Sequence, residues 1–216
     1  MHNKTARVTP PARPDAESRR RQIRDAASRC ARLSGFHGAS MADIAQEAGL
    51  SVGQIYRYFQ NKEAIIAAIV SQDVADMREK FAALEISGKP LVDAVIDNLP
   101  AELAQNYDPA RAALRLEVIA EAARNPCVAN IVRESDLEGR ALKQAFLERT
   151  SPPDRTDHDL RARGEVLSML FDGMLIRSVI NPQADRQAIA EVLRPVLRHL
   201  LADMACSSGA PSRDDG

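Results

Sequence analysis

Aromatic side chains are scarce in this chain, with Phe, Trp and Tyr making up 4% of its 216 residues and tryptophan absent altogether. The 45% hydrophobic content therefore rests on Ala, Leu, Ile and Val, which points to helices rather than to sheet. Cysteine is scarce too. Cys30, Cys127 and Cys206 are odd in number, far apart and without metal-type spacing, so neither a disulfide framework nor a zinc site is indicated. No run approaches the roughly 20 uninterrupted apolar residues of a membrane span, and the first residues lack the apolar core of a signal peptide. The expected location is the cytoplasm, with no membrane partner. A glycine-rich phosphate loop, a serine nucleophile elbow and paired His-x-x-x-His or Cys-x-x-Cys ligands are all missing. His2, His37, His158 and His199 stand apart from one another. The sequence thus predicts no catalytic residues, no metal and no cofactor.

The charge is unevenly spread beneath a formal net of −1. Residues 1–62 hold 11 Lys and Arg against 5 Asp and Glu, a net of +6, whereas the remainder holds 18 against 25, a net of −7. A polyanion would be met by the basic part. The run Arg19-Arg20-Arg21 is equally compatible with a solvated helix face.

Residues 1–16 contain Pro10, Pro11 and Pro14, scattered basic residues and almost nothing apolar, the composition of a disordered basic arm. From Glu17 to Ser34 apolar residues recur at helical spacing through Ile23, Ala26, Ala27, Cys30, Ala31 and Leu33, with Gly35 and Gly38 marking the stop. Two short runs follow, one from Ser40 to Gly49 and one from Ser51 to Phe59. A long helical pattern after Asn61 ends at Gly88 to Pro90, and further helices are predicted over Leu91–Asn106, Pro109–Arg124 and Cys127–Arg149. Ser151–Asp157 reads as an internal linker. Two apolar stripes close the chain, one with Val166, Leu167, Leu170, Phe171, Met174, Leu175 and Val179, the other with Ile189, Leu193, Val196, Leu197, Leu200 and Met204. Nothing alternates with period two, so the fold class is all-α.

The segment Met41 to Phe59 reads MADIAQEAGLSVGQIYRYF. Ala45 permits a close helix approach, Gly49 can adopt the positive φ of a tight turn, and Ile44, Ala48, Leu50, Ile55 and Tyr58 can face a shared core. Ser40 with Asp43 and Ser51 with Gln54 each fit the capping-box spacing. In such a helix-turn-helix the start of the second helix enters the major groove, which here brings Ser51, Val52, Gly53, Gln54 and Arg57 towards base edges. Gln54 can pair bidentately with adenine, Val52 can meet a thymine methyl, and Gly53 lets the backbone approach. Tyr56, Tyr58 and Lys62 suit phosphate contacts. An ordinary helical hairpin without a ligand is the structural alternative.

The run Ser51-Val52-Gly53-Gln54-Ile55-Tyr56-Arg57-Tyr58-Phe59, followed by Asn61-Lys62-Glu63, resembles the recognition helix and the start of the fourth helix of TetR-family regulators. The resemblance covers residues 17–77, and beyond them Leu116–Pro126 and Phe171–Asn181 are loosely similar. It implies about nine helices in two parts: a three-helix DNA-binding domain at 17–77, with its motif at 40–59, and a ligand-sensing and dimerisation domain at 78–205, followed by a disordered tail at 206–216. It also implies phosphate contacts from Ser40, Tyr56 and Lys62, and base contacts from Ser51, Val52, Gln54 and Tyr58, the last at a position that is often His in the family. The expected partners are double-stranded operator DNA, a second copy of the chain joined through the last two helices, and a small-molecule effector. Candidate pocket residues are Met77, Phe81, Tyr107, Leu114, Phe146, Met169, Phe171 and Met174. Arg111 and Arg115, one helical turn apart, can meet an anionic ligand, pair with a neighbouring Glu or form a solvated face. The expected function is ligand-responsive repression, released from a palindromic operator. The alternatives are a ligand-independent dimeric regulator and a helical adaptor or enzyme that uses the hairpin differently.

Overall fold

Side-chain caps set most of the helix starts in this chain. Asp15 accepts the amide of Ser18 at 2.6 Å and opens α1, Ala16–Gly38. Reciprocal capping boxes open α2, Met41–Ala48, and α3, Val52–Ile55. Asn61 Oδ1 accepts the amide of Ala64 at 2.8 Å in the first turn of α4, Lys62–Glu85. Then come α5, Leu91–Asn106; α6, Pro109–Arg124, capped by Asp108; α7, Pro126–Thr150; α8, Asp157–Ile180, capped by Thr156; and α9, Arg186–Leu201. The structure is a computed structural model that describes residues 15–150 and 156–201, and among the described residues it holds nine helices and no strand.

Three features depart from the sequence pattern. α1 continues past Ser34, but Gly35 interrupts it with φ 71° and ψ 160°, a left-handed φ that glycine adopts without a Cβ clash. That break swings Phe36 into the core, where it is buried. α3 ends at Ile55 rather than Phe59, because the chain tightens into i+3 hydrogen bonds, from Arg57 to Gln54 at 3.3 Å and from Tyr58 to Ile55 at 2.8 Å. The expected linker at Ser151–Asp157 is shorter at its end, since Thr156 already caps α8; residues 151–155, the arm up to residue 14, Met204 and the tail at 206–216 lie outside the described residues.

The chain divides into two compact units between Ala68 and Ile69, inside α4. The first unit has a core of Ile23, Ala26, Ala27, Ala31, Phe36, Ile44, Ala45, Ile55, Phe59, Ile65 and Ile66, all buried. In the second unit α5 packs on α8 and α9, while α6 packs on α7 and α8. Its core joins Ile96, Leu99, Leu103, Phe146, Leu147, Leu160, Leu167, Leu197 and Leu201, with Phe81 stacked on Phe146 at 4.4 Å between ring centres. Ion pairs tie the same stretch of α4 to its neighbours: Asp73 to Arg115 of α6 at 2.9 Å, Arg78 to Glu138 of α7 at 2.7 Å, and Lys80 to Glu102 of α5 at 2.9 Å. No helix among the described residues is long and apolar enough to cross a membrane.

Candidate nucleic-acid interface

The turn between α2 and α3 is built on Gly49, whose φ of 64° lets its amide and that of Leu50 fold back onto α2 carbonyls. Leu50 donates to the Ala45 carbonyl at 2.9 Å, and Gly49 to that of Gln46 at 3.1 Å. Ile55 and Phe59 are buried behind α3, so the opposite side faces out. Ser51, Val52, Gly53, Gln54, Tyr56 and Arg57 are all exposed on or beside it, with Tyr56 at 52%. Of the residues expected to face the shared core, Ile44, Ala48 and Ile55 are buried, whereas Leu50 and Tyr58 are half-buried.

The capping boxes constrain what these side chains offer. Ser51 donates its amide to Gln54 Oε1 at 2.8 Å, while the Gln54 amide donates to Ser51 Oγ at 3.2 Å. With that box closed, Nε2 keeps its donors and Oε1 its second lone pair, so a bidentate adenine pair would have Oε1 accept a second hydrogen bond. Ser40, also exposed, donates its amide to Asp43 Oδ2 at 2.8 Å and its hydroxyl to the same oxygen at 2.6 Å. These bonds hold the Asp43 carboxyl below its ordinary pKa, the hydroxyl contributing most.

Lys62 is half-buried, and its ammonium donates to the carbonyls of Phe36 and Ala39, the latter at 3.1 Å. Two of its three donors therefore close the end of α1, and one remains for another acceptor. Arg57 has no ion pair among the described residues. The sequence reading missed the contacts that fasten this hairpin to α1. Gln22 Nε2 donates to the Ala48 carbonyl at 2.7 Å, Arg19 donates to Gln22 Oε1 at 2.7 Å, Arg29 pairs with Glu47, and the Arg20 guanidinium lies 5.2 Å from the centre of the Phe59 ring. Nothing in local spacing signals a bond between residues 26 positions apart.

The eight candidate pocket residues differ in burial. Tyr107 and Phe146 belong to the second unit's core, and Phe81 and Met174 pack against it. Met77, Leu114 and Phe171 are half-buried, while Met169 is 62% exposed. A groove of about 400 Å³ lies instead between α4 and α5, edged by Lys80, Leu84, Lys89, Asp97, Asn98 and Glu102, none of them among the eight. Arg111 and Arg115 both face Asp73, at 4.0 and 2.9 Å. His37, His158 and His199 are exposed, and no cluster fit to hold a metal occurs among the described residues. On α8 and α9 the stripes divide: Leu167, Leu175 and Leu197 are buried, but Val166, Val179 and Val196 stay exposed, as do Met169, Ile176 and Val192 on the same helices.

Comparison with known proteins agrees with this arrangement. The model for bacterial regulatory proteins of the tetR family matches residues 23–69, and that for the Tetracyclin repressor-like C-terminal domain matches residues 89–203. The HTH-type transcriptional regulator UidR of Escherichia coli is 32% identical over 123 residues, a match that spans 57% of this chain and 61% of that relative. The HTH-type transcriptional repressor Rv1474c of Mycobacterium tuberculosis is 29% identical over 180 residues, covering 82% of this chain and 89% of its own. The solved structure of Salmonella enterica GusR aligns with a TM-score of 0.68 at 28% identity, over 85% of this chain and 95% of that one.

Proposed function

The chain belongs to the TetR family of bacterial regulatory proteins, and from that premise we propose that it is a homodimeric repressor which binds a palindromic operator through α3 and leaves it when a small molecule binds. The matched proteins are transcription regulators, not enzymes. The observation that carries the proposal is the outward side of α3, where Val52, Gly53, Gln54, Tyr56 and Arg57 are exposed over a core of Ile55 and Phe59. Such a face meets the major groove with Ser51, Val52 and Gln54 at base edges, and Gly53 allows the backbone to come close. Ser40, Tyr56, Arg57, Tyr58 and the remaining donor of Lys62 serve the phosphates on either side. The exposed apolar residues of α8 and α9 supply a face for a second copy, and a two-fold dimer reads an inverted repeat.

Release by an effector belongs to the α5–α9 part of the chain, with its α4–α5 groove as an accessible opening. A second reading, a dimeric regulator without an effector, is favoured by the packed Phe81–Phe146 stack and by the burial of Tyr107 in the same core. Selection of bound duplexes from a random library by the full-length protein tests the main reading. It is expected to return an inverted repeat with half-sites about one helical turn, roughly 34–36 Å, or a multiple of it apart. An asymmetric consensus, or none, overturns it. Dissociation of that duplex by any compound in a metabolite panel separates the two readings, since the second predicts that none acts.

A further inference from the structure

The run Arg19-Arg20-Arg21 stands near the start of α1, where its charge invites contact with DNA phosphates. The geometry gives two of these arginines other partners. Arg19 donates to Gln22 Oε1 at 2.7 Å, and Gln22 Nε2 donates to the Ala48 carbonyl at 2.7 Å. A guanidinium can only donate, so the Gln22 atom facing it must be the oxygen, and this turns the amide nitrogen towards Ala48. Ala48 is the last residue of α2 and is 5% exposed, so water has little access to it, and its carbonyl is held from α1. Arg29 adds a second tie next door at Glu47. On the far side of α3, the Arg20 guanidinium covers Phe59 at 5.2 Å. α1 therefore grips the hairpin before α3 and after it.

We propose that Arg19 and Gln22 are positioning residues for operator recognition: they fix the α2–α3 turn from α1, so that Val52 and Gln54 are offered in one orientation, without touching the DNA themselves. The proposal rests on the operator-binding reading given above. A phosphate contact and a positioning contact leave different marks. Losing a phosphate contact flattens the slope of log affinity against log salt by about 0.9 and weakens all sequences alike. Losing a positioning contact lowers operator affinity relative to unrelated DNA and leaves the slope unchanged.

The test is fluorescence anisotropy with the full-length protein on the selected operator and on a scrambled duplex of equal length, across a potassium chloride series. Wild type, Arg19→Met, Gln22→Met and the double variant are compared. The operator-to-scrambled ratio is expected to fall about tenfold in each single variant, the equivalent of one part-buried hydrogen bond lost. It should fall little further in the double variant, because the two residues act in series, and the salt slope should stay at the wild-type value. If Gln22→Met loses its helical circular dichroism, Arg19→Met, which leaves the Gln22 side chain in place, still carries the measurement. A flattened slope with equal weakening on both duplexes, or an unchanged ratio, overturns the proposal. A wild-type protein that does not discriminate between the duplexes would instead overturn the operator-binding reading, and this inference with it.

Discussion

The amide of Gln54 accepts from the Ser51 backbone through Oε1 and keeps Nε2 for the outside. Gln54→Glu retains the acceptor and removes the donor, so its thermal midpoint should match wild type while operator affinity drops by about 1–3 kcal/mol, the discrimination a base contact supplies. A matching loss of thermal stability would show that the side chain serves α3 rather than a base. At Lys62 the emphasis reverses. Its ammonium closes the end of α1 on the Phe36 and Ala39 carbonyls, so Lys62→Met should cost about 1–2 kcal/mol in urea denaturation, before any effect on DNA. Asp43 has a pH signature. Its carboxyl is held below the ordinary value of 3.8 by Ser40, so the charged form favours the folded state. That contribution is complete above the ordinary value and is lost as pH falls through the lowered one. The stability gap between wild type and Asp43→Asn should therefore be constant near neutral pH and close under acid conditions. A gap that widens on acidification would contradict the capping role.

The turn between α2 and α3 depends on a single backbone conformation. A Cβ at Gly49 would meet no atom within 4 Å, so the cost of substitution comes only from its φ of 64°. Gly49→Ala should lose about 1–2 kcal/mol of stability and Gly49→Asn less, because Asn tolerates the left-handed region better. Equal losses in thermal melts would point to packing instead. Legibility in the sequence followed local chemistry. The bounds of α5 and α6 could be read closely because Asp108-Pro109 and Asn125-Pro126 interrupt the helical pattern, and both capping boxes appear in the Ser-x-x-Asp and Ser-x-x-Gln spacing. The early end of α3 could not be read, since residues 56–59 keep a helical pattern while burial of Phe59 and the Asn61 cap of α4 pull the chain into a tighter turn. Nor could the Arg19–Gln22–Ala48 relay, which joins distant positions. Periodicity also could not divide α8: Leu167 and Leu175 turn to the core and Val166 and Val179 to the outside, though all four lie on one apolar stripe.

That division sets the expectation for the assembled molecule. Met169 and Ile176 are exposed, at 62% and 47%, so acidic residues there should leave the fold intact. Met169→Glu with Ile176→Glu is expected to move the sedimenting species from dimer to monomer with an unchanged helical spectrum, and to weaken binding to an inverted repeat more than to one half-site. A dimer that persists would place the partner elsewhere. The central claim, operator binding through the exposed face of α3, is tested most directly by anisotropy on the selected duplex across a salt series, comparing wild type with the Gln54→Ala, Tyr56→Ala double variant. Tight wild-type binding that weakens steeply with salt, and loses its preference for the operator in the variant, is the predicted result. Binding that is equally tight and equally selective in the variant would contradict the account.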